Sequence, residues 1–462
     1  MNNSPKIIGR RRGIMSVMAM IFLVLFGALA IGFYSATTTQ SQVAVNDQRV
    51  LMSQTAAESG MDFMRYQLGQ VSIPPGTSSS QVINVLYTNL QSQLNGTGNL
   101  GANTISISNN VIYVPGSGSV RLDALGATAF TGTITNWGAG VVVKSAGTFT
   151  SSAGTTVSRA ISMDFTLQPI PTTAFSYAVA SAGQVVVSKN SVTGITGVPA
   201  SVASIMSTSS TAGAITVSGG SVGGQLYVLN GATATFSGGS VSGSSSNATI
   251  QADYVHTVPP QNFPIIDTSG FQAYAVNTWA SGVGTQQNVY VPPNTNPVIA
   301  GNATIQGIMF IASPNTVKFS GNVTLDGFIV FQDNSSATSD SLTFNGNVTT
   351  AALPAGAAFD PLRSISGIGI MAPTAAVTVS GNTTSYVRGN VIADTFTMSG
   401  AAQLEIDQGT LMTMSTGSKS TWLNGTKSLT FSGSGQNNQP TEGVSYNQYF
   451  APNQSTYQEI LP

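Results

Sequence analysis

Apolar and polar positions change their pattern twice along this chain of 462 residues. Residues 14–34 are apolar except for Ser16, residues 35–70 mix spaced apolar positions with polar ones, and later residues alternate in short runs. A continuous apolar run and a helical spacing both predict helix, whereas a period of two predicts half-buried strands. We therefore expect a mainly β protein with one long α-helix at its N-terminus.

The apolar run at residues 14–34 is long enough to be a transmembrane segment, because about 20 apolar residues cross the hydrocarbon layer as a helix. Basic residues precede it, so the positive-inside rule predicts a single-pass cell-membrane protein with a cytoplasmic N-terminus and its body in the periplasm or at the cell surface. A cleaved signal peptide is the alternative, although its apolar core usually has only about 7–15 residues. The residues expected to orient and hold the anchor are Arg10, Arg11, Arg12, Ile14, Phe22, Leu25, Phe26, Leu29 and Tyr34.

The helix is expected to continue past the membrane segment, over residues 14–70. No Pro occurs in residues 35–70, and Gly69 followed by Pro74 and Pro75 provides a stop. In the next segment, residues 71–171, the spacing of apolar residues predicts a short amphipathic helix at 81–94, and alternating positions after it predict antiparallel strands. One hairpin is expected to turn at Asn109 and Asn110.

Similar pieces recur in the second half of the chain, each with an apolar residue, a small or polar residue, Gly and usually Asn. Their first glycines are Gly219, Gly238, Gly301, Gly321, Gly346, Gly381 and Gly400, with separations that include 19, 20 and 25 residues. A period near 20 residues with two-residue alternation predicts a parallel β-helix over residues 172–440. Corners are expected at Gly301, Asn302, Gly321, Asn322, Gly346, Asn347, Gly381 and Asn382, because Gly and Asn tolerate positive φ.

Two segments stand outside this repeat. Residues 256–279 are rich in Pro at their start, and we expect them to cover the solenoid or to connect two parts of it. Residues 441–462 are aromatic and polar, and we expect a C-terminal tail that caps the open end of the solenoid or lies on its flank.

Composition excludes several kinds of site. Charged residues make up only 7% of the chain, against a usual ~25%, and there is no Cys and one His. Thiol enzymes, Cys-based metal centres and multi-histidine metal sites are therefore excluded, and 15 Lys and Arg residues cannot form a nucleic-acid footprint. We expect no cofactor, no metal and no nucleic-acid partner.

Few candidate catalytic groups remain. His256 follows Asp253 closely, but no nucleophile motif lies nearby, and we interpret it as a loop histidine. Asp326, Asp333 and Asp340 form the nearest approach to an acidic set, and we interpret them as solvated turn residues, with weak Ca²⁺ binding as the alternative. The sequence thus predicts a protein that is not an enzyme.

The N-terminal residues RRRG-IMSVMAMIFLVLF resemble a type IV prepilin leader and helix. The resemblance implies processing between Gly13 and Ile14 by a prepilin peptidase; the Glu that major pilins carry at the fifth mature position is Met18 here. Residues 46–68, with Ala56-Ala57-Glu58-Ser59-Gly60-Met61, resemble PilX-type minor pilins, and the segment from Phe175 to Gly194 resembles the repeat that opens the body of such proteins. The resemblance implies a pilin-like α/β segment, fused here to the β-helix.

The combined patterns predict a bacterial, membrane-anchored structural subunit of a type IV pilus or a related secretion pseudopilus. Its expected partners are the lipid bilayer, other pilin-like subunits, the prepilin peptidase if the leader is processed, and a surface glycan or protein that binds the β-helix. Two alternatives stay open: a membrane-anchored enzyme that acts on polysaccharides in the β-helix groove, and a simple surface adhesin with an uncleaved anchor.

Overall fold

A computed structural model describes residues 12–138, 140–170, 172–334 and 339–461. The chain forms two compact units. Unit 1 comprises the residues up to Pro169 together with those from Gln448 onward, and unit 2 comprises Ile170–Asn447. Unit 1 is therefore discontinuous in sequence, with unit 2 inserted between two of its strands. The expected fold class, a long N-terminal helix, an α/β segment and a parallel β-helix, is confirmed.

The elements of unit 1 are the helices α1 (Arg12–Gly69) and α2 (Ser79–Leu94), a 3₁₀ turn (Gly98–Leu100), and the strands β1 (Ser106–Ser108), β2 (Val111–Val114), β3 (Val120–Arg121), β4 (Thr128–Asn136), β5 (Gly140–Thr150), β6 (Thr156–Pro169) and β34 (Gln448–Ile460).

Unit 2 contains three groups of elements. Its first strands are β7 (Val179–Ser181), β8 (Val185–Ser188), β9 (Ser191–Gly194), β10 (Ile205–Ser207), β11 (Ile215–Ser218), β12 (Ser221–Val222), β13 (Leu226–Leu229), β14 (Ala234–Ser237), β15 (Ser240–Val241), β16 (Val255–Val258), β17 (Ile265–Ile266), β18 (Asn277–Thr278) and β19 (Thr285–Val291). Its later strands are β20 (Val298–Ile299), β21 (Ala303–Ile311), β22 (Thr316–Phe319), β23 (Val323–Phe331), β24 (Ser341–Phe344), β25 (Val348–Thr350), β26 (Ile368–Val379), β27 (Thr384–Arg388), β28 (Asn390–Gly400), β29 (Gln403–Asp407), β30 (Leu411–Thr413), β31 (Thr421–Gly425), β32 (Ser428–Phe431) and β33 (Val444–Ser445). Its helical turns are Ala174–Ser176, Ala200–Ala203, α3 (Asn247–Thr249) with the π-helical Ile250–Tyr254, Ser269–Tyr274, Ala357–Leu362 and Gly435–Asn437.

Helix α1 is one continuous helix of 58 residues, which at 1.5 Å per residue is about 87 Å long. Its second half packs on the antiparallel sheet β1-β2-β4-β5-β6-β34, and α2 packs on the same core. The turn residues Asn109 and Asn110 both have positive φ between the paired strands β1 and β2, which confirms the expected hairpin.

The C-terminal tail differs from the expectation of a cap or flank of the solenoid. Residues Gln448–Ile460 form β34, which pairs antiparallel with β6 and forms the last strand of the unit 1 sheet. Phe450 is buried in the core of unit 1, next to the position of Leu167 in β6. Pairing with a partner about 290 residues earlier cannot be read from a local pattern.

Unit 2 is a parallel β-helix whose successive turns, or rungs, build three sheets. The first sheet contains β18, the second halves of β19, β21 and β23, the first halves of β26 and β28, and then β30, β7, β10, β13 and β16. The second sheet contains β20, β22, β24, the second halves of β26 and β28, and then β31, β8, β11 and β14. The third sheet contains the first halves of β19, β21 and β23, and then β25, β27, β29, β32, β9, β12 and β15.

The chain enters this stack in the middle. The rung β7-β8-β9 is followed on one side by β10-β11-β12, β13-β14-β15 and β16. The chain then crosses to the opposite end of the stack, starts again at β18 and β19, and returns rung by rung until β30, β31 and β32 pair with the free side of β7, β8 and β9. The segment before β18 thus connects two parts of the solenoid, as one of the sequence expectations stated.

The first sheet is buried on both of its faces from β21 to β10, whereas β13, β16, β18 and β19 near its two ends are partly exposed. The other two sheets present polar side chains outward. The strands of the first sheet read as continuous apolar runs, such as the fully buried ends of β21 and β23, while β22 and β24 alternate. Phe271, Phe359 and Leu362 lie in crossing segments that pack against the outer side of the first sheet. Segment 256–279 therefore also covers the solenoid.

Candidate functional surfaces

The first half of α1 is an apolar surface with no partner within the described part of the chain. Its side chains are exposed, with Phe22 at 56%, Phe26 at 69% and Tyr34 at 76% of their maximal area, and Leu25 and Leu29 are similarly exposed. The helix is long and apolar enough to cross a membrane. Exposed apolar side chains on every side of a helix are stable only in lipid or against other proteins.

The basic leader and the processing position lie at the edge of the structure. Arg10 and Arg11 lie outside the described residues. Arg12, Gly13 and Ile14 belong to the first turn of α1, of which the backbone alone is described. Processing at Gly13 and the orientation across the membrane stay predictions.

The second half of α1 approaches the sheet closely because both surfaces carry small residues. A Cβ atom on Gly147 of β5 would overlap the backbone of Ser53 and Ala57, and a Cβ atom on Gly60 would overlap Ser145 and Phe130. Ala57 is fully buried. The small residues around Glu58, which carry the resemblance to minor pilins, are therefore the residues that let helix and sheet backbones meet.

Gly is required at the predicted corners for two different reasons, a positive φ at some and close contact between rungs at others. Gly301 and Gly381 have φ of +77° and +86°, in the left-handed region that favours Gly. Gly321 and Gly346 do not have positive φ; there a Cβ atom would overlap the backbone of the Gly on the adjacent rung, Gly301 and Gly321 respectively. The expectation that positive φ explains all four corners is thus wrong for two of them, where rung-to-rung contact requires Gly.

The predicted Asn corners form a ladder across three rungs. The Asn347 side-chain amide donates to Asn322 Oδ1 at 3.1 Å, and that of Asn322 donates to Asn302 Oδ1 at 3.5 Å. Asn382 does not continue the ladder; its Oδ1 accepts from Lys427 Nζ at 3.0 Å. None of the four has positive φ, so hydrogen bonding between rungs, and not backbone conformation, accounts for Asn at these positions.

Asp326, Asp333 and Asp340, which the sequence indicated as solvated turn residues, lie in three different environments. Asp326 accepts the side-chain amide of Gln306 at 3.2 Å on the outer face of the third sheet. Burial, and next the charge of Asp267, raises the pKa of Asp333. Among the described residues, no three acidic or His side chains gather into a group that would hold a metal ion.

Asp340 is a buried structural carboxylate and not a solvated turn residue. It is 5% exposed, accepts the hydroxyl of Ser313, and accepts the backbone N–H of Asn315 at 2.7 Å. Two such hydrogen bonds compensate the burial of the charge and fix the loop that precedes β22. His256 lies on β16, not in a loop, with its ring 5.3 Å from that of Tyr227.

A polar cluster on the third sheet was missed by the sequence analysis. Tyr386 on β27 donates its hydroxyl to Asp407 on β29 at 2.7 Å, and Arg388 is in register with Asp407. Burial, followed by the hydrogen bond to Asp407, raises the pKa of Tyr386 to about 12. The alternation along the two strands indicates that Tyr386, Arg388, Glu405 and Asp407 all face outward. The sequence does not indicate that β27 pairs with β29, and this pairing is what brings the four side chains together.

Comparisons with known proteins do not assign this chain to a family. No family model matches the chain, and no curated protein matches it. Among solved structures, the crystal structure of the competence-associated pilin ComZ from Thermus thermophilus is similar at 10% sequence identity, over 90% of this chain and 98% of that chain, with a TM-score of 0.21. A TM-score this low does not establish a shared fold.

Proposed function

We propose that this protein is a membrane-anchored, pilin-like structural subunit whose β-helix is displayed for adhesion or interaction. The observation that carries the proposal is the division of α1 into an exposed apolar half and a half that packs on an antiparallel sheet. The first half has the properties of a segment that lies in lipid and then against other helices. The small-residue contact at Ala57 and Gly60 supports a helix rigidly joined to its sheet.

The proposal assigns the protein to the cell membrane with its N-terminus in the cytoplasm and both folded units outside. Other pilin-like subunits would pack against the exposed side of α1, in a type IV pilus or a secretion pseudopilus. The leader would be removed before Ile14 by a prepilin peptidase. Recognition by the solenoid surface, and not chemistry, would be its role, with a surface glycan or protein as the ligand.

Membrane retention of full-length variants tests the anchor. Leu25→Arg places a charge at the centre of the apolar half, which costs roughly 2.5–3.5 kcal/mol of insertion free energy, and we expect loss from the membrane fraction. Leu51→Arg is the matched control, because Leu51 is 62% exposed on the same helix beyond the apolar half. Retention of Leu25→Arg and of a variant lacking residues 14–34 would refute the anchor.

N-terminal sequencing of the membrane-bound protein separates pilin processing from an uncleaved adhesin. Ile14 as the first residue supports the pilin proposal, whereas Met1 supports the simple adhesin. Gly13→Leu should block removal of the leader while leaving membrane retention unchanged, because the apolar half remains intact.

A polysaccharide-active enzyme is the second candidate, and the cluster on the third sheet favours it. Glu405 and Asp407 occupy outward positions of one strand, beside Tyr386 and Arg388 of the next. Pairs of carboxylates are what glycoside hydrolysis uses. Depolymerisation of a glycan panel that is abolished by Glu405→Gln or Asp407→Asn would establish the enzyme; absence of turnover in the wild-type protein would remove this candidate.

A further inference from the structure

The connection from β3 to β4 in unit 1 presents two leucine side chains to solvent. We call it the Leu loop, and it comprises residues 121–127. Leu125 is 93% exposed and Leu122 is 43% exposed, and the value for Leu125 exceeds the 76% of Tyr34 in the apolar half of α1. Single exposed leucines are common on protein surfaces, but this pair lies on a loop of fixed conformation at one particular end of unit 1.

Hydrogen bonds hold the Leu loop in one conformation. Asp123 accepts the backbone N–H of Ala127 at 3.0 Å, the backbone N–H of Thr128 at 2.6 Å, and the hydroxyl of Thr128. The backbone N–H of Leu122 donates to the carbonyl oxygen of Thr128 at 2.9 Å. Gly126 has φ of +69°, which a residue without a Cβ atom adopts freely. A loop closed in this way keeps its two leucines in water instead of letting them fold onto the sheet.

The Leu loop lies at the end of unit 1 that faces the apolar half of α1. A Cβ atom on Gly147 of β5 would overlap the backbone of Ser53, and one on Gly132 of β4 would overlap the side chain of Met64, later in α1. Since Gly132 is in register with Ser145, the helix runs from the last residues of β5 toward its first ones. The end of the sheet at which β5 finishes and β4 begins, where the Leu loop lies, therefore points along α1 toward its apolar half.

The distance from this end of unit 1 to the membrane segment is short enough for contact with lipid. Ser53 follows Tyr34 by 19 residues, which is about 28 Å of helix. Strand β5 continues past its contact with Ser53 and recovers up to about 10 Å of this length. The backbone N–H of Thr150, its last residue, donates to the Leu loop at 2.8 Å, and the loop extends further. Headgroups add about 5–8 Å beyond the hydrocarbon, and a helix tilt within the usual range of about 0–40° brings Leu125 to them.

The charge at this end of unit 1 suits an anionic surface. Residues 121–127 and 150–156 form two connections at this end, and they contain one acidic residue, Asp123, whose carboxylate is engaged within the loop. Arg121 is exposed, and none of the ion pairs among the described residues includes it. A free guanidinium beside leucines matches a lipid interface, where phosphate groups lie next to acyl chains.

We propose that the Leu loop inserts into the lipid interface, with Leu122 and Leu125 among the upper acyl chains and Arg121 on lipid phosphates. This contact holds unit 1 against the bilayer and gives α1 a preferred tilt. Two leucines expose far less than the ~800 Å² per partner that a stable protein interface buries, so lipid and not a second copy is the occupant. The proposal rests on the membrane anchor proposed above.

A single fluorophore tests the contact, because the chain has no Cys of its own. Leu125→Cys is labelled with an NBD group in the full-length protein, which is placed in vesicles of phosphatidylcholine and phosphatidylglycerol. Lipids with a spin label high on the acyl chain should quench this dye at least twofold. Ser80→Cys is the matched control and should not be quenched, because Ser80 is exposed beside the β4–β5 connection, at the opposite end of the sheet. Ala124→Cys provides a second exposed labelling position on the Leu loop.

Further substitutions in the labelled protein assign the contact to the loop residues. Leu122→Gln should at least halve the quenching at position 125, because one of two inserted apolar groups is lost. Arg121→Gln should reduce the quenching more in vesicles with phosphatidylglycerol than in phosphatidylcholine alone, because anionic lipids attract basic residues. Tyr66→Gln, at an exposed position near the end of α1, is the control and should leave the quenching unchanged.

Flotation with the vesicles measures the anchor separately from the loop. A protein that floats, and whose dye at position 125 is quenched no more than the dye at position 80, overturns the loop contact and leaves the anchor standing. A protein that does not float overturns both. A blue-shifted emission that is not quenched by lipid and grows with the protein-to-lipid ratio assigns the leucines to a second copy, and it also overturns the proposal.

Discussion

The backbone N–H of Ile170 donates to the carbonyl oxygen of Asn447 at 2.6 Å, which joins the first and last residues of the β-helix unit. The preceding and following residues, Pro169 and Gln448, are in register on the antiparallel strands β6 and β34. In chain order, the β-helix unit thus takes the place of a turn between β6 and β34. The order of the rungs explains why the two ends of this unit meet. The chain enters the stack at β7 and completes it with β30, β31 and β32, which pair with the first rung, so entry and exit lie side by side.

This relationship predicts that unit 1 folds without the solenoid. Replacing residues 170–447 by Asn-Gly should turn β6 directly into β34, because that dipeptide suits a two-residue hairpin. We expect a cooperative thermal transition and retained helix signal by circular dichroism in detergent.

A truncation after Asn447 is the matched comparison, since it removes β34 and with it the buried Phe450. Loss of a buried Phe side chain alone costs about 3–5 kcal/mol, so this variant should be much less stable than the deletion. Equal stability of the two would show that β34 does not belong to the fold of unit 1.

The contact between Gly147 and Ala57 predicts a steric requirement in unit 1. Gly147→Ala would place a methyl group on the backbone of α1, and we expect a loss of about 1–3 kcal/mol in the free energy of unfolding. Gly98→Ala is the control, because a Cβ atom there has no neighbour within 4 Å. Denaturant unfolding measures both; an unchanged midpoint for Gly147→Ala would contradict the contact.

Rung spacing predicts a similar requirement in unit 2. Gly346→Ala would place a methyl group on the carbonyl oxygen of Gly321 on the adjacent rung. That oxygen belongs to the backbone and cannot move aside as a flexible side chain could. We expect a loss of about 1–3 kcal/mol, seen as a lower Tm. Gly284→Ala, with open space around the added methyl, should leave the Tm within a degree or two of the wild type.

Asp123 predicts an acid-dependent stability in the loop between β3 and β4. Hydrogen bonds from the hydroxyl and the backbone N–H of Thr128 lower its pKa to about 2, below the unfolded value of about 3.9. A carboxyl with a depressed folded pKa contributes stability that is fully present above pH 4 and is lost as the pH falls through 2.

Asp123→Asn should therefore lower the Tm at neutral pH, and its Tm should converge with that of the wild type as the pH falls to 2. Asp62→Asn, at an exposed position of α1, is the control for a general change in charge. A Tm difference that stays constant between pH 7 and pH 2 would show that the ionised carboxylate is not the stabilising group.

The pattern of hydrophobic residues was sufficient to predict those helices and strands whose buried face shows in their local sequence. The apolar run before Tyr34 and the spaced apolar positions up to residue 70 indicated α1, and the patterns within residues 71–171 indicated α2 and the antiparallel strands. Periodic Gly and Asn indicated the β-helix, since each rung repeats the same need for close backbone approach or for a side-chain ladder.

Contacts between residues distant in the sequence could not be obtained in this way. A period in the sequence does not say which rung lies beside which, so the pairing of β30 with β7 and the cluster of Tyr386 with Asp407 appeared only in the structure. The same holds for Lys189, whose positive φ is matched by Gly219 and Gly238 on the adjacent rungs in a register that only the structure supplies.

The kinds of elements follow from the spacing of apolar, small and polar residues, because the burial of each side chain depends on its position along a helix or strand. Their order in the fold depends on long-range pairing: the insertion of the solenoid between β6 and β34, its start in the middle of the stack, and the pairing of the tail with β6. Local patterns do not fix this order, because parallel rungs with similar Gly, Asn and apolar positions can pair with one another in more than one sequence. Only the complete stack, in which every strand edge and every crossing segment is accommodated, selects a single arrangement.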